Sequence, residues 1–336
     1  MKSYHLDTFT GPSGLVIREH EIPTPGPKQV LIRVRANAIS YREGMILTGT
    51  YPLPVKQGIV PLCEGAGEVA AVGEEVCRVR PGERVAANVF PRWIDGPLRW
   101  ELTDQLGSSV DGLLTEYAVL DEDALVHIPK HLSYTEAAAL PLAALTAWNA
   151  LMGAHAPRPG ETVLVLGSGS VSLFALQFAK LAGARVIATT SSQERAERLR
   201  ELGADATIDY SRIPEWPDTV RALTDGRGAD HVVEVAGDLR RSLRAVALEG
   251  QLSYIGFWLA GADARPVDCA TLFFSGCRLR CVAIGSRSQF AAMNLAVEEH
   301  LLRPVLDRVF AFEEAREACD YFLSGRRFGR VVVSHE

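Results

Sequence analysis

The run Thr162-Val163-Leu164-Val165-Leu166 leads straight into Gly167-Ser168-Gly169-Ser170-Val171-Ser172 and then into Leu173-Phe174-Ala175-Leu176-Gln177-Phe178-Ala179. A short, β-branched, apolar run suits a strand covered on both faces. Strand, glycine turn and helix in that order is the arrangement a dinucleotide fold requires. Gly167 permits the tight turn, and Gly169 lets the backbone approach a pyrophosphate. The free N–H groups of the loop and helix start, at Ser168, Ser170 and Val171, favour the anion. The third glycine position holds Ser172, small enough for close helix–strand packing but a departure from the standard pattern. Two glycines alone also fit a structural turn in another parallel sheet; the surrounding alternation of strand and helix is what points to a dinucleotide.

That alternation continues downstream. Arg185–Thr189, Ala206–Ile208, His231–Val235, Gln251–Ile255 and Leu279–Ile284 are further strand candidates. Helical stretches such as Ser172–Ala182 and Gln193–Leu202 lie between them. Strands and helices in turn imply a doubly wound parallel sheet with right-handed crossovers, an α/β class. Upstream, from Leu15 to about Pro129, the signal is short strands bounded by Pro, Gly or Asp. Val30–Arg35, Gly67–Gly73, Arg84–Ala87, Leu114–Leu120 and Leu125–Ile128 suggest a compact barrel or sandwich. Phe290–Arg303 reads as a helix, and Gly329–Val333 as a strand that returns to the first region, because the parallel sheet already has six strands.

A chain of 336 residues is long enough for about two domains. A net charge of -6 and no Lys/Arg-rich block argue against nucleic acid or an anionic membrane as partner. The first residues lack the apolar run of a signal peptide, and the most apolar stretch, Ala137 to Met152, reads as a buried helix rather than a span. The cytoplasm is the expected compartment. Six cysteines, at 63, 77, 269, 277, 281 and 319, include no CxxC pair, so reduced and buried thiols are expected for at least five.

The end of the second strand bears on the cofactor. A site for NAD usually has Asp or Glu there, about 20 residues after the glycine loop, to bind the ribose 2′-OH. Here Thr189-Thr190-Ser191-Ser192-Gln193-Glu194-Arg195 has no acid at that point. Ser191, Ser192 and Arg195 are available to a 2′-phosphate, to which Arg offers charge-assisted hydrogen bonds, so NADP(H) is favoured. A solvated helix face is the competing reading for Arg195, since Arg198 and Arg200 follow it.

Several segments stand together in order. They are Asn37-Ala38-Ile39-Ser40-Tyr41-Arg42-Glu43, Pro61-Leu62-Cys63-Glu64-Gly65-Ala66-Gly67-Glu68-Val69, Pro81-Gly82-Glu83-Arg84-Val85, Leu140-Pro141-Leu142-Ala143-Ala144-Leu145-Thr146-Ala147-Trp148, the glycine loop, Leu202-Gly203-Ala204-Asp205 and Phe328-Gly329-Arg330-Val331-Val332. With them the chain resembles the medium-chain dehydrogenase/reductase superfamily over essentially its full length. It is most similar to the quinone oxidoreductase and zinc-free alcohol-dehydrogenase-like branches. The resemblance implies a Rossmann doubly wound sheet inserted into a GroES-like β-barrel domain. The expected boundaries are 1–123 and 287–336 for the GroES-like part and 124–286 for the Rossmann part. It also implies a homodimer or homotetramer, with dimers commonly joining edge strands of the Rossmann sheets, here the run near Leu279–Ile284.

The resemblance further implies where zinc would sit in relatives that use it. Those positions hold Ser40, Cys63 and Leu142 here, followed by the acidic Glu64, and the segment Asn88 to Glu116 lacks the four cysteines of a structural zinc lobe. No zinc and no metal ligands are expected, since a catalytic zinc takes about three protein ligands and Leu142 supplies none. Cys63 then reads as a small packing residue. The activity implied is NADPH-dependent hydride transfer to a hydrophobic substrate, a quinone, enone or related conjugated carbonyl, whose charge delocalises without a metal. Tyr41 is the first candidate donor near the substrate, or a residue that only shapes its pocket, with Ser40 beside it. Thr146 matches a position near the nicotinamide, or a helix-interior residue. Tyr210, Gly256 and Gly285 match cofactor-side positions, Tyr210 being equally suited to packing. Arg287 reads as a cofactor contact or the partner of a nearby carboxylate. Trp93, Trp100 and Trp258 fall in or near predicted loops, as pocket lining or packing. The alternatives are a zinc-dependent alcohol dehydrogenase with atypical ligands, a non-catalytic NADP(H)-binding regulatory protein, and an enoyl-thioester reductase.

Overall fold

The structure is a computed structural model that describes residues 1–256 and 266–336; Trp258 lies outside the described residues. The chain forms two compact units, Met1–Leu145 with Gly285–Glu336, and Thr146–Ile284. The stretch 124–145 therefore belongs with the first unit in this division.

The second unit is built on six parallel strands: β1 Thr162–Val165, β2 Arg185–Thr190, β3 Ala206–Asp209, β4 Ala229–Glu234, β5 Val246–Tyr254 and β6 Arg278–Cys281. Their spatial order is β3-β2-β1-β4-β5-β6, and every neighbouring pair is parallel. The order reverses between β1 and β4, the switch point at which such sheets bind dinucleotides. Val163, Leu164 and Val165 are fully buried, as their β-branched pattern requires of a central strand covered on both sides. Leu164, Ile187, Ile208, Val232 and Leu252 form one core with Trp216, Val220 and Leu243.

The first unit contains a sheet in the order Leu306–Ala311, Arg330–Ser334, Gln29–Ile39, Glu64–Val72, Arg84–Ala87, Leu125–His127, with Tyr117–Asp121 also paired to Gln29–Ile39. The last strand does return to the first region: Val331 lies opposite Ile39, and Val333 opposite Asn37, in antiparallel register. Gly67 is needed within this sheet, because a Cβ there would meet the Arg33 carbonyl oxygen at 2.3 Å. A separate hairpin pairs Lys2–Leu6 with Leu15–Glu19.

Three features depart from the sequence reading. The helix Tyr41–Leu47 interrupts the region read as all-β. The stretch expected as one buried helix, Ala137 to Met152, is broken into α-helix Tyr134–Ala137, a π-helical turn Leu140–Ala144 and α-helix Leu145–Met152. Pro141 is the cause, since it lacks an N–H and its ring disrupts the preceding turn. The amides this leaves are taken by a carboxylate: Leu142 and Ala143 donate to Glu64 Oε1 at 2.9 and 3.4 Å. The cysteines are also not mostly buried. Cys63 and Cys319 are, whereas Cys77, Cys269 and Cys281 are exposed and Cys277 is half-buried, all six being free thiols. Cys269 opens a surface helix and Cys281 ends the edge strand β6, positions with little protein to cover them. Among the described residues no helix is long and apolar enough to cross a membrane.

Glu64 is completely buried, and its Oε2 accepts from Arg330 Nη2, a residue 1% exposed and 266 positions away in sequence. Removing one partner of such a pair strands a charge in the core, at about 3–5 kcal/mol. Arg330→Met is therefore expected to lower the unfolding free energy in urea by about that amount, and adding Glu64→Gln to recover part of the loss. An Arg330→Met chain with wild-type stability would show that the pair contributes nothing.

Candidate active site

In the second unit the glycine loop follows β1. Gly167 has φ +73°, and a Cβ on Gly167 or Gly169 would meet nothing within 4 Å. No packing demands glycine at Gly169, so the missing side chain leaves room for a ligand to reach the backbone. The helix Ser170–Leu181 begins there without a side-chain cap, leaving its first N–H groups unclaimed by a capping side chain. Ser172, at the third glycine position, is fully buried and donates from Oγ to the Leu166 carbonyl at 2.6 Å, tying helix to strand. Thr189 Oγ1 at the end of β2 accepts from Gly167 N at 3.0 Å and holds the loop against its neighbour.

Beyond β2, Ser191 is exposed. Ser192 Oγ caps the helix Gln193–Glu201 by accepting from Arg195 N at 3.2 Å, so this hydroxyl has a structural task of its own. Arg195 sits in the first turn of that helix, half-buried. Tyr210 follows β3 and is 44% exposed. Gly256 follows β5, where a Cβ would meet the Val235 carbonyl group at 2.2–2.3 Å, so packing of the β4 end already requires glycine. Thr146 is buried in the helix Leu145–Met152.

Glu234 escaped the sequence reading. It closes β4, is completely buried, and accepts from Ala236 N and Gly237 N, each at 2.7 Å, and from Ser242 Oγ. Burial pushes its carboxyl above the ordinary range while these donors pull it back. Its signal was an acid inside an apolar strand, His231-Val232-Val233-Glu234-Val235, just before Ala236-Gly237.

In the first unit, Ser40 ends the strand Gln29–Ile39 and starts the helix Tyr41–Leu47. Its Oγ is buried with no hydrogen-bond partner. Tyr41 is 44% exposed. Next to them is a polar core that sequence reasoning also missed. Arg42, buried, donates to Glu43 Oε1 at 2.8 Å, Ser108 Oγ at 2.6 Å, the Leu106 carbonyl at 3.0 Å, Gln105 Oε1 at 3.1 Å and Tyr51 Oη at 3.3 Å. Glu43 Oε1 also accepts from Cys63 N at 3.3 Å. Burial, with Glu43 nearby, pushes the Cys63 thiol well above its ordinary range, so it stays protonated. The backbone is strained just before it, Leu62 having φ +65°.

Arg287 and Gly285 lie in the first unit. Arg287 pairs with Asp123, and its own N–H donates to the Trp93 carbonyl at 2.9 Å. The carboxylate alternative is thus realised for Arg287. A Cβ on Gly285 would meet the Leu145 side chain at 2.7 Å. Trp93 is buried, its Nε1 donating to the Gly96 carbonyl at 2.9 Å, whereas Trp100 is exposed.

Comparison with known proteins gives this geometry a context. Residues 26–130 match the alcohol dehydrogenase GroES-like domain family, and residues 170–299 the zinc-binding dehydrogenase family. The chain is 40% identical to a zinc-type alcohol dehydrogenase-like protein of Schizosaccharomyces pombe, over 97% of each chain. It is 36% identical to a quinone oxidoreductase of Pseudomonas aeruginosa over 99% of each. It is 30% identical to the chloroplastic NADPH-dependent alkenal/one oxidoreductase of Arabidopsis thaliana, over 99% of this chain and 79% of the relative. Among solved structures, a putative alcohol dehydrogenase of Sinorhizobium meliloti 1021 superposes with a TM-score of 0.91 at 37% identity, covering 99% of this chain and 98% of the other. An NAD-dependent alcohol dehydrogenase gives 0.90 at 34%, with full coverage of both.

The thiol environments make a direct check. In native protein treated with iodoacetamide, Cys77, Cys269 and Cys281 should be modified first, and Cys63 and Cys319 only on unfolding. Peptide mass spectrometry reads each site, and rapid native labelling of Cys63 would mean an accessible thiolate that this geometry does not provide.

Proposed function

From the premise that the chain belongs to the medium-chain dehydrogenase/reductase superfamily, in its quinone oxidoreductase and alcohol-dehydrogenase-like branch, we propose that it is an NADPH-dependent reductase of quinones, enones or related conjugated carbonyls that works without zinc. It is an oxidoreductase of a nicotinamide-dependent family. The observation that carries the NADPH reading is the end of β2, where Thr190, Ser191 and Ser192 stand in place of an acid and Arg195 occupies the first turn of the next helix. The glycine loop fits a pyrophosphate, since neither glycine's absent side chain is replaced by packing. The relative named as an NADPH-dependent alkenal/one oxidoreductase supports the same cofactor, and the one named as a quinone oxidoreductase supports the acceptor class.

The zinc-free reading rests on the donors. Ser40 offers a hydroxyl, Cys63 a protonated thiol, and Leu142 an aliphatic side chain. Glu64 has one oxygen on two amides and the other on Arg330. Among the described residues no three His, Cys, Asp or Glu side chains group to hold a metal. A catalytic zinc takes about three protein ligands, so this donor set does not fit one. The family name zinc-binding dehydrogenase favours the second reading, an alcohol dehydrogenase with atypical ligands.

When bound, reduced nicotinamide supplies the hydride. The chain's part is positioning and charge. Ser170 and Val171 N–H groups hold phosphate, and Arg195 holds the 2′-phosphate. Ser40, whose Oγ has no partner within the fold, or Tyr41, whose phenol is exposed, donates a hydrogen bond to the oxyanion that develops on the acceptor. Alignment of the reactants supplies much of the remaining rate. We also propose a homodimer across β6. Among the described residues it pairs only with β5, and Leu248, Phe273 and Phe274 of the same unit are 75%, 77% and 81% exposed.

Purified protein should oxidise NADPH faster than NADH with small quinones and enones. Arg195→Ala should raise KM for NADPH by about 10–100-fold, the worth of a charge-assisted contact, and leave KM for NADH nearly unchanged. Equal losses with both cofactors would assign Arg195 to helix stability instead, and tight NADPH binding without turnover on any acceptor would favour a regulatory role.

A further inference from the structure

Apart in sequence from the glycine loop and from Ser40 and Tyr41, His5 in the strand Lys2–Leu6 and His20 just after its partner strand Leu15–Glu19 bring their Nε2 atoms within 3.2 Å of each other. Their rings are 5.3 Å apart between centroids and inclined at 53°, so they meet edge to edge through nitrogen rather than stacking. His5 is half-buried and His20 exposed.

The tautomer of His5 follows from its other nitrogen. Nδ1 lies 2.9 Å from the Gly58 carbonyl oxygen, which can only accept, so Nδ1 carries the proton. Nε2 then carries a lone pair, which faces His20 Nε2 at 3.2 Å and accepts from Ser3 Oγ at 2.9 Å, a hydroxyl that a bound ion would displace. An imidazole whose remote N–H is fixed on a backbone carbonyl is the usual state of a metal-bound histidine, with its orientation and basicity already set. Two nitrogens bound at ~2.0–2.1 Å to one tetrahedral ion stand ~3.3–3.4 Å apart, and in a square-planar site ~2.9 Å apart. The observed separation of 3.2 Å lies between the two.

We propose that His5 and His20 form a surface site for a borderline divalent transition-metal ion, Cu2+, Ni2+ or Zn2+, separate from the reaction site. Both protein ligands are imidazoles, which suit these ions and not Mg2+ or Ca2+. No third His, Cys, Asp or Glu joins them among the described residues, so water completes the coordination. Ser3 Oγ, which donates to His5 Nε2 at 2.9 Å in the metal-free chain, would turn to such a water when the ion binds. With two protein ligands the affinity is modest, and the order follows the general preference of nitrogen sites, with Cu2+ above both Ni2+ and Zn2+.

The site has a bearing on the reading above without depending on it. Zinc found in purified protein can sit on His5 and His20 and leave catalysis metal-free.

The test uses the full, untagged chain, stripped with chelator and desalted, titrated with Cu2+, Ni2+ and Zn2+ by calorimetry. The expected result is one ion per chain, with Cu2+ tightest. His20→Gln, and separately His5→Gln, should weaken binding at least tenfold, while kcat/KM with NADPH stays at the wild-type value in His20→Gln. The spectrum of bound Cu2+ should show coupling to two imidazole nitrogens, lost in either variant. Binding that survives both substitutions, as it would if exposed thiols such as Cys77 held the ion, overturns the proposal. So does the absence of saturable binding in the wild-type chain with its circular dichroism intact.

Discussion

The contact between Glu64 and Arg330 organises the first unit. Both side chains are out of water, and a buried charge is costly unless paired and hydrogen-bonded. Glu64 meets that condition only with three partners at once: the Arg330 guanidinium and the amides of Leu142 and Ala143. They come from the returning strand and the π-helical turn, and Glu64 itself opens the strand that follows Cys63. One carboxylate therefore fixes the return of the chain, accepts the amides that Pro141 displaces, and anchors the residue next to Cys63. A second buried cation, Arg42, does similar work nearby, joining the helix Tyr41–Leu47 to the segment 105–108. Ser40 stands at the start of that helix with its hydroxyl uncommitted, so rigid surroundings hold one free donor.

The second unit solves a different problem with neutral groups. Its glycine loop has no basic side chain and leads into a helix start without a side-chain cap, which leaves backbone N–H groups to favour an anion. The loop is kept in place by small hydroxyls, Thr189 on Gly167 and Ser172 on Leu166. Ser172 shows why its departure from glycine is tolerated: the side chain is fully buried and adds a bond between helix and strand. Glu234 stiffens the far side of the switch point through the turn at Ala236 and Gly237.

Much of this was legible in the sequence, and the failures have common causes. The parallel sheet was readable because each strand is a short apolar run between breakers, a local property. The glycine loop was readable because its turn demands particular residues. The returning strand followed from counting, once six strands filled the sheet. What could not be read depends on distant pairing. Nothing local to Arg330 says it will meet Glu64, and nothing in Tyr41–Leu47 shows a helix until Arg42 has its partners. The break at Pro141 was visible as a proline, but its outcome as a π-turn required the carboxylate that receives the free amides. The cysteines were misjudged because burial was assigned by residue type, whereas Cys269 opens a surface helix and Cys281 ends the edge strand. Arg287 had two readings in sequence, and its pairing with Asp123 depends on a residue 164 positions away that no local signal reveals.

The central claim is that charge and alignment from the chain replace a catalytic metal. Glu64 is spent on structure, Cys63 keeps its proton, and Leu142 closes the remaining position. The most direct measurement is kcat/KM for NADPH-driven reduction of a small quinone by chelator-treated His20→Gln protein, with and without added Zn2+, alongside its metal content. The account predicts the same rate in both conditions with no metal retained. A rate that appears only when zinc is restored would contradict it.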